Sequence, residues 1–109
     1  MGATGVVASF QPSGNIVVTG ITTSTASAIL TSSNAFQTQY GGGTNDAFLA
    51  LFNNGGQRQW GTYFGGSQIE EWPFVAIDAQ SNLYLTGATS SSNGISTSCA
   101  YQDNYGGGT

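Results

Sequence analysis

Basic side chains are almost absent from this sequence, and histidine and lysine are missing altogether. Arg58 is the only cation among 109 residues, and five carboxylates give a net charge of −4. Nucleic-acid binding depends on clustered Lys and Arg, so we expect no nucleic-acid partner. Triads of the Ser-His-Asp or Cys-His kind need a histidine base, and Schiff-base chemistry needs a lysine amine. The composition therefore predicts a protein that is not an enzyme.

Cysteine and long apolar runs are scarce as well. Cys99 is the single cysteine, which leaves no intrachain disulfide and no thiolate cluster for a metal. No apolar stretch is long enough to span a bilayer, so we expect no membrane insertion. The first residues lack the basic region and the apolar run of a signal peptide. We therefore expect either that a signal has been removed or that the sequence is part of a longer chain.

Glycine and small polar residues fill the space that charge leaves. The 17 glycines occur together with many Ser, Thr, Asn and Gln residues, while hydrophobic residues make up 39% of the chain. Glycine adopts positive φ freely, and Asn and Ser bond to nearby backbone, so this mixture is typical of short strands joined by tight turns. The composition predicts an all-β chain. A surface rich in hydroxyls and amides also favours an extracellular location.

Two blocks of the sequence recur at a nearly constant distance. Residues 15–22 (NIVVTGIT) return as 82–89 (NLYLTGAT), and residues 35–44 (AFQTQYGGGT) return as 100–109 (AYQDNYGGGT). The offsets are 67 and 65 residues, and the difference falls in a Ser/Thr-rich loop, where length variation costs little. Repetition with such a period indicates stacked supersecondary units. We assign residues 1–66 to a first repeat and residues 67–109 to a partial second repeat.

One repeat is predicted to contain four strands, A to D, and the second repeat adds a further A and B. The predicted ranges are 5–10 and 72–77 for A, 16–22 and 83–89 for B, 46–52 for C and 57–64 for D. Strand C has apolar residues on both faces, as in sheets that stack face to face. We expect helix to be at most one short turn near residues 35–38 or 100–104. Phe36 and Tyr101 are expected to anchor the long loops by burial of their rings.

The order of these elements resembles the bacterial seven-bladed β-propeller repeat, the SBBP family. The resemblance rests on the SGN turn, the IVVTG strand, the YGGG loop, the DAFLALF strand and the aromatic strand that ends in YFGGS. It implies four-stranded antiparallel blades, about one and a half of them in this chain, in a secreted or cell-surface bacterial protein. The family often has paired acids after Gly-Gly-Ser, where Glu70 and Glu71 stand here. It implies no catalytic residues.

Composition and resemblance together predict a non-enzymatic scaffold, or a protein-interaction and adhesion module, that acts outside the cell. The expected partners are adjacent repeats of a longer parent chain or other copies of this chain. The reason is that the second sheet stops after two strands, which leaves strand 83–89 with an open edge. The alternative is a carbohydrate-binding, lectin-like propeller with surface glycans as ligands.

Four residues form the expected partner or ligand surface, namely Trp72, Glu70, Glu71 and Tyr84. Trp72 precedes a proline near a predicted loop, where an exposed ring could stack on a sugar. Glu70 and Glu71 are adjacent, so an extended backbone turns them to opposite faces and they do not make a glycosidase pair. No catalytic or cofactor-binding residues are predicted.

Two further interpretations concern the glycine-rich loops. Their carbonyl groups, joined by Asp46 or Glu70, could bind Ca²⁺, although no EF-hand spacing occurs. The two Tyr-Gly-Gly-Gly segments also suggest a phosphate-binding loop, but they lack the following lysine and a helix. We interpret these segments as connections before strand C.

Overall fold

The computed structural model describes residues 3–25, 31–102 and 104–107, and within these ranges the chain is all-β with six strands and no helix. The strands are β1 (Ala3–Phe10), β2 (Ile16–Thr22), β3 (Asp46–Phe52), β4 (Arg58–Phe64), β5 (Glu70–Ile77) and β6 (Leu83–Thr89). β1 to β4 form one antiparallel sheet in chain order, and β5 and β6 form a second. The same ranges hold no helix that is long and apolar enough to cross a membrane.

The observed strands agree with the predicted ones at most boundaries. The B and C strands appear as β2, β6 and β3 with the predicted ends, and strand D begins one residue later, at Arg58. Both A strands begin two residues earlier than predicted, because pairing continues beyond an irregularity that interrupts each of them. A bulge breaks the alternation of side chains, so the sequence pattern ends where the bulge lies. The loop predicted at residues 100–109 is described only in part, since 103, 108 and 109 lie outside the described residues.

The hairpins β1–β2 and β5–β6 have the same register. Every residue pair of the first hairpin recurs in the second at an offset of 67 residues, beginning with Ala3–Thr22 and Glu70–Thr89. The bulge occurs at the same place in both hairpins, and both turns close with backbone hydrogen bonds between equivalent atoms. The two hairpins therefore have the same pattern of residue pairing, even though the sequences of β1 and β5 differ.

The second sheet packs on the first through β5, which contacts β1 and β2 and, at fewer positions, β3. Ser9 Oγ donates to the Val75 carbonyl oxygen at 3.4 Å, so the face of the first sheet that carries Ser9 and its paired residue Val17 looks towards β5. The buried hydrophobic residues lie around this contact and along β3 and β4. They are Val17, Ala47, Ala50, Tyr63 and Val75.

β3 is less covered than a strand between two stacked sheets would be. Phe48, Leu49, Leu51 and Phe52 all remain partly exposed, although both faces of the strand are apolar. The cause is that β5 lies mainly over β1 and β2. In the single chain, the burial expected on both faces of β3 is therefore incomplete.

Hydrogen bonds hold the long loop before β3 more than buried rings do. Phe36 stacks on Phe64 with ring centroids 5.8 Å apart, yet Phe36 is 68% exposed, and Tyr101 is fully exposed. The predicted anchoring by burial is wrong for Tyr101, and for Phe36 it is limited to one stacked contact. Tyr63 N donates instead to the Gln37 carbonyl oxygen at 3.1 Å. β4 is the outer strand of its sheet, so its edge can bind the loop backbone.

The turn of the second hairpin contains a serine in a conformation that favours glycine. The φ angle of Ser81 is 66°, and the equivalent residue of the first hairpin is Gly14, with a φ of 93°. A side chain in this left-handed region costs roughly 1–2 kcal/mol. We expect Ser81→Gly to raise the free energy of unfolding by about 1 kcal/mol, and Gly14→Ser to lower it by about the same amount, in urea denaturation.

The Gly14 position is open, because a Cβ atom there would lie 4.0 Å from Asn54 Nδ2, its nearest neighbour. The loss in Gly14→Ser therefore reports backbone strain alone. Equal stabilities of the parent chain and both variants would contradict this account of the turn.

Candidate functional site

The first residues of β3 and β5 lie side by side where the two sheets meet. Asn45 and Ile69 form a parallel bridge, and the backbone N–H of Glu70 donates to Asn45 Oδ1 at 3.2 Å. The bridge brings Asp46, which begins β3, close to Glu70, which begins β5. Residues 65–66 form the corner that leads from β4 towards β5. We call Asp46, Glu70 and this corner the junction site.

The carboxylate of Glu70 is buried and is held by three hydrogen bonds. Glu70 is only 4% exposed. Its Oε1 accepts from Thr89 Oγ1 and from Ser91 Oγ, both at 2.6 Å, and its Oε2 accepts from Gly66 N at 3.2 Å. Bonds to a charged acceptor are stronger than neutral ones and offset part of the cost of burial. Glu70 therefore ties the end of β6 and the loop after it to the corner.

Asp46 is fully buried, and one of its carboxylate oxygens has no partner. Its Oδ2 accepts from Gly41 N at 2.6 Å and from Gln37 Nε2 at 3.4 Å. Its Oδ1 is buried and accepts no hydrogen bond from any described residue. Burial, with a smaller contribution from the Glu70 charge, raises the pKa of Asp46 from 3.8 to about 6, against the lowering effect of the Gly41 hydrogen bond. An unpaired oxygen in the interior is costly, so this atom marks a place for a proton or a cation.

The free oxygen of Asp46 and Oε2 of Glu70 converge on the corner. A Cβ atom on Gly65 would lie 2.8 Å from Asp46 Oδ1 and 2.5 Å from Glu70 Oε2. The two oxygens are therefore no farther apart than the sum of these distances. A Cβ on Gly41 would lie 2.5 and 2.6 Å from the carbonyl oxygens of Gly66 and Gly65. Carboxylate oxygens thus crowd the position that a Cβ would take on Gly65, and carbonyl oxygens crowd that position on Gly41, so both positions require glycine.

The glycine run 41–43 packs against residues 65–68 and does not open towards a ligand. Gly41 N donates to Asp46, and a Cβ on Gly43 would overlap the backbone of Gln68. This packing agrees with the interpretation of the run as a connection rather than a phosphate-binding loop. The run forms a cover over the junction site.

Three of the four residues of the expected partner surface are exposed, and the fourth, Glu70, is buried. Trp72 is 77% exposed, Tyr84 is 55% exposed and Glu71 is also exposed, whereas Glu70 is only 4% exposed. Glu70 and Glu71 line a cleft of about 300 Å³ that borders both sheets, together with Pro73 and other residues. Trp72 and Tyr84 do not line this cleft. The adjacent acids therefore border the same cleft but differ in exposure, since Glu70 is buried and Glu71 is exposed.

Asp78 lies in the turn of the second hairpin, and Tyr84 of β6 reaches back to it. Asp78 accepts from the backbone N–H groups of Gln80 and Asn82, both at 2.9 Å, and from the Asn82 side chain at 3.0 Å. Tyr84 OH donates to the same carboxylate at 2.9 Å. The side-chain bond from Asn82, followed by the other donors, lowers the pKa of Asp78, and the bond to Asp78 raises the pKa of Tyr84. These contacts stabilise the turn, so we assign Asp78 a local structural role.

The sequence alone suggested Asp46 and Glu70 separately as oxygen ligands, but it did not show that they lie together. A signal was present, because each acid begins a strand and closely follows a glycine run. Over the described part of the chain, no group of three or more Asp, Glu, His or Cys side chains is placed to hold a metal ion. Cys99 is exposed.

Comparison with known proteins assigns no family to this chain, since no family model, no curated protein and no solved structure matches it.

The raised pKa of Asp46 predicts that the protein loses stability as the pH rises. The folded state binds the Asp46 proton more tightly than the unfolded state, in which the pKa of Asp46 is 3.8. The resulting gain in the free energy of unfolding is therefore complete below that pH. In buffer without divalent cations, the gain disappears as the pH passes about 6. We expect the free energy of unfolding in urea to fall over this interval by at most about 3 kcal/mol.

Asp46→Asn is the control, because it cannot ionise and should lack this part of the pH dependence. The difference between the two proteins isolates Asp46 from the other carboxylates. A difference that stays constant from pH 3.8 to about 6 would rule out the perturbed Asp46.

Proposed function

We propose that this chain is a segment of a bacterial β-propeller of the SBBP kind, with about one and a half four-stranded blades. It serves outside the cell as a non-enzymatic scaffold or as a protein-interaction and adhesion module. The observation that carries the proposal is that hairpin β5–β6 repeats β1–β2 in register, bulge and turn and packs against it. Stacked copies of one antiparallel unit are the building principle of propellers and other repeat folds.

The outer face of the second sheet supports this reading. Val17 and Thr19 of β2 are 0% exposed on the face that looks towards β5. Their equivalents in β6 are Tyr84 and Thr86, and both are exposed. Phe74, which pairs with Thr86 and so shares its face, is 54% exposed. A further sheet stacked in the same way would cover this face.

The edge of β6 that points away from β5 is also uncovered among the described residues. In the first sheet β2 pairs with β3 from Ile16–Phe52 to Thr22–Asp46. β6 is the equivalent of β2, and among the described residues it pairs with β5 alone. Unpaired edges recruit other strands. The partner that fits is a strand equivalent to β3, from an adjacent repeat or from another copy of the chain, and self-association follows from this edge and the exposed face together.

The arrangement of the four acids that the structure describes supports binding rather than catalysis. A glycosidase needs a general acid and a second carboxylate that flank one bond in an open cleft. Asp46 and Glu70 are buried, and Asp78 is engaged by its own turn. Glu71 is exposed near the start of β5, whereas Asp78 follows the other end of that strand. The hydroxyl-rich and lysine-free composition supports an extracellular location.

The propeller-repeat proposal can be tested by adding the strands that would complete the second sheet. Because residues 35–44 recur as 100–109, a second copy of residues 45–66 added after Thr109 continues the pattern. We expect the added strands to pair with β6, to protect the backbone amides of Leu83–Thr89 from hydrogen exchange and to raise the free energy of unfolding by roughly 2–4 kcal/mol. Hydrogen exchange and urea denaturation measure the two effects.

The control is an extension of the same composition in scrambled order. Light scattering should show that the parent chain self-associates more than the chain with the ordered extension. If the amides of Leu83–Thr89 exchange equally fast with the ordered and the scrambled extensions, the propeller-repeat proposal fails.

A carbohydrate-binding, lectin-like propeller is the second candidate, and the exposed indole of Trp72 favours it. Trp72 lies at the β5 bulge. Its two neighbours in the chain, Glu71 and Pro73, are among the residues that line the cleft. The scaffold proposal expects no sugar binding on a glycan array. Phe10→Ala is the control, because Phe10 is also exposed, at 71%. Reproducible sugar binding that is lost in Trp72→Ala and kept in Phe10→Ala would contradict the scaffold function and support the lectin function.

A further inference from the structure

The junction site holds two buried carboxylates, and the sole basic side chain is remote from them. Arg58 pairs with Phe52, the last residue of β3, whereas Asp46 is the first residue of that strand. At the usual rise of a strand, the two ends of β3 are about 20 Å apart. A buried charge requires a close opposite charge or a proton. The site therefore lacks compensation from a basic side chain.

The atoms that converge on the junction site are those that hard cations prefer. Asp46 Oδ1 is buried without a partner, and Glu70 Oε2 accepts one bond of 3.2 Å, from Gly66 N. Both oxygens face Gly65, at 2.8 and 2.5 Å from the position of its absent Cβ. Two ligands of one Ca²⁺ ion lie at most about 5 Å apart, since each Ca–O distance is about 2.3–2.6 Å. The Gly65 distances set an upper limit on the separation of Asp46 Oδ1 and Glu70 Oε2, and this limit is close to the largest separation of two Ca²⁺ ligands.

Backbone carbonyl oxygens also lie close to the Asp46 carboxylate. The carbonyl oxygens of Gly65 and Gly66 lie around Gly41, on the side where Asp46 Oδ2 also approaches. An irregular set of carboxylate and carbonyl ligands suits Ca²⁺, which tolerates variable geometry, better than Mg²⁺, which demands a regular octahedron. The chain offers no imidazole, and its one thiol, Cys99, is exposed, so the donors near the site are oxygens.

We propose that the junction site binds Ca²⁺, with Asp46 Oδ1 and Glu70 Oε2 as its carboxylate ligands and with water and corner carbonyls completing the shell. Asp46 belongs to the first sheet and Glu70 to the second, so the ion joins the two sheets. Two carboxylates are few for a calcium site, and the affinity falls in the range of extracellular modules, with Kd about 10⁻⁴–10⁻³ M. Calcium thereby stabilises the stacking of one sheet on the next.

The test is a Ca²⁺ titration of the purified 109-residue chain after removal of metals with a chelator. At neutral pH we expect calorimetry to show one ion per chain, and we expect Tm to rise with Ca²⁺ concentration, by roughly 10 °C at a hundredfold excess over Kd. Mg²⁺ at the same concentration and NaCl at the same ionic strength should have much smaller effects.

Three variants locate the ion. Asp46→Asn and Glu70→Gln keep the shape of each side chain and an acceptor oxygen, and each should weaken Ca²⁺ binding by at least about tenfold. Glu71→Gln is the matched control, because it removes the same charge from the neighbouring exposed acid and should leave the affinity unchanged.

Three outcomes would overturn the proposal. The first is an absence of Ca²⁺ binding by the parent chain at millimolar concentration. The second is binding by Asp46→Asn and Glu70→Gln that is as tight as binding by the parent chain, and the third is stabilisation by acid alone with no effect of Ca²⁺ at neutral pH. If both variants fail to fold, NMR of the parent chain decides. The amide resonances of Gly41 and Gly66, which donate to the two carboxylates, must then shift on Ca²⁺ addition, and unchanged resonances would refute the site.

Discussion

The close approach of the backbone to two buried carboxylates at the corner 65–66 is the constraint on which the rest of the structure depends. A side chain on Gly65 would lie within 2.8 Å of Asp46 Oδ1 and still closer to Glu70 Oε2, and a side chain on Gly66 would overlap the loop that follows β6. Glycine at both positions lets the two sheets meet here. Through Asp46 the corner holds the glycine run 41–43, and through Glu70 it holds the end of β6.

Buried polar groups matter in this fold because its apolar core is small. Among the described residues the buried hydrophobic side chains are outnumbered by buried polar ones, which include Thr19, Thr62 and Ser91 besides the two acids. On folding, a chain of this length buries only about two-thirds of the surface that its unfolded form exposes. Satisfied hydrogen bonds fix the alignment of the sheets, whereas the apolar side chains Phe74 and Tyr84 remain outside. The two stacked hairpins thus present hydrophobic surface where another sheet can pack.

The two hairpins share a register but differ in the residues that make the junction. Ala3 stands in the first hairpin where Glu70 stands in the second, and Gly5 stands where Trp72 stands. The acid pair therefore depends on how the second sheet meets the first, since Asp46 begins β3 and Glu70 begins β5. The pairing pattern of the hairpin is thus repeated, whereas Glu70 has no acidic counterpart at the equivalent position of the first hairpin.

The sequence by itself determined the strands, their order, the tight turns and the internal repetition. Alternating side chains and glycine-rich turns act over a few residues, which is why strands B and C were predicted with their observed ends. Only the tertiary structure decided that Tyr101 is exposed, that β3 is half covered and that Asp46 meets Glu70. The two acids belong to different sheets. Their proximity depends on how the sheets stack, and stacking depends on contacts between segments that no local pattern relates.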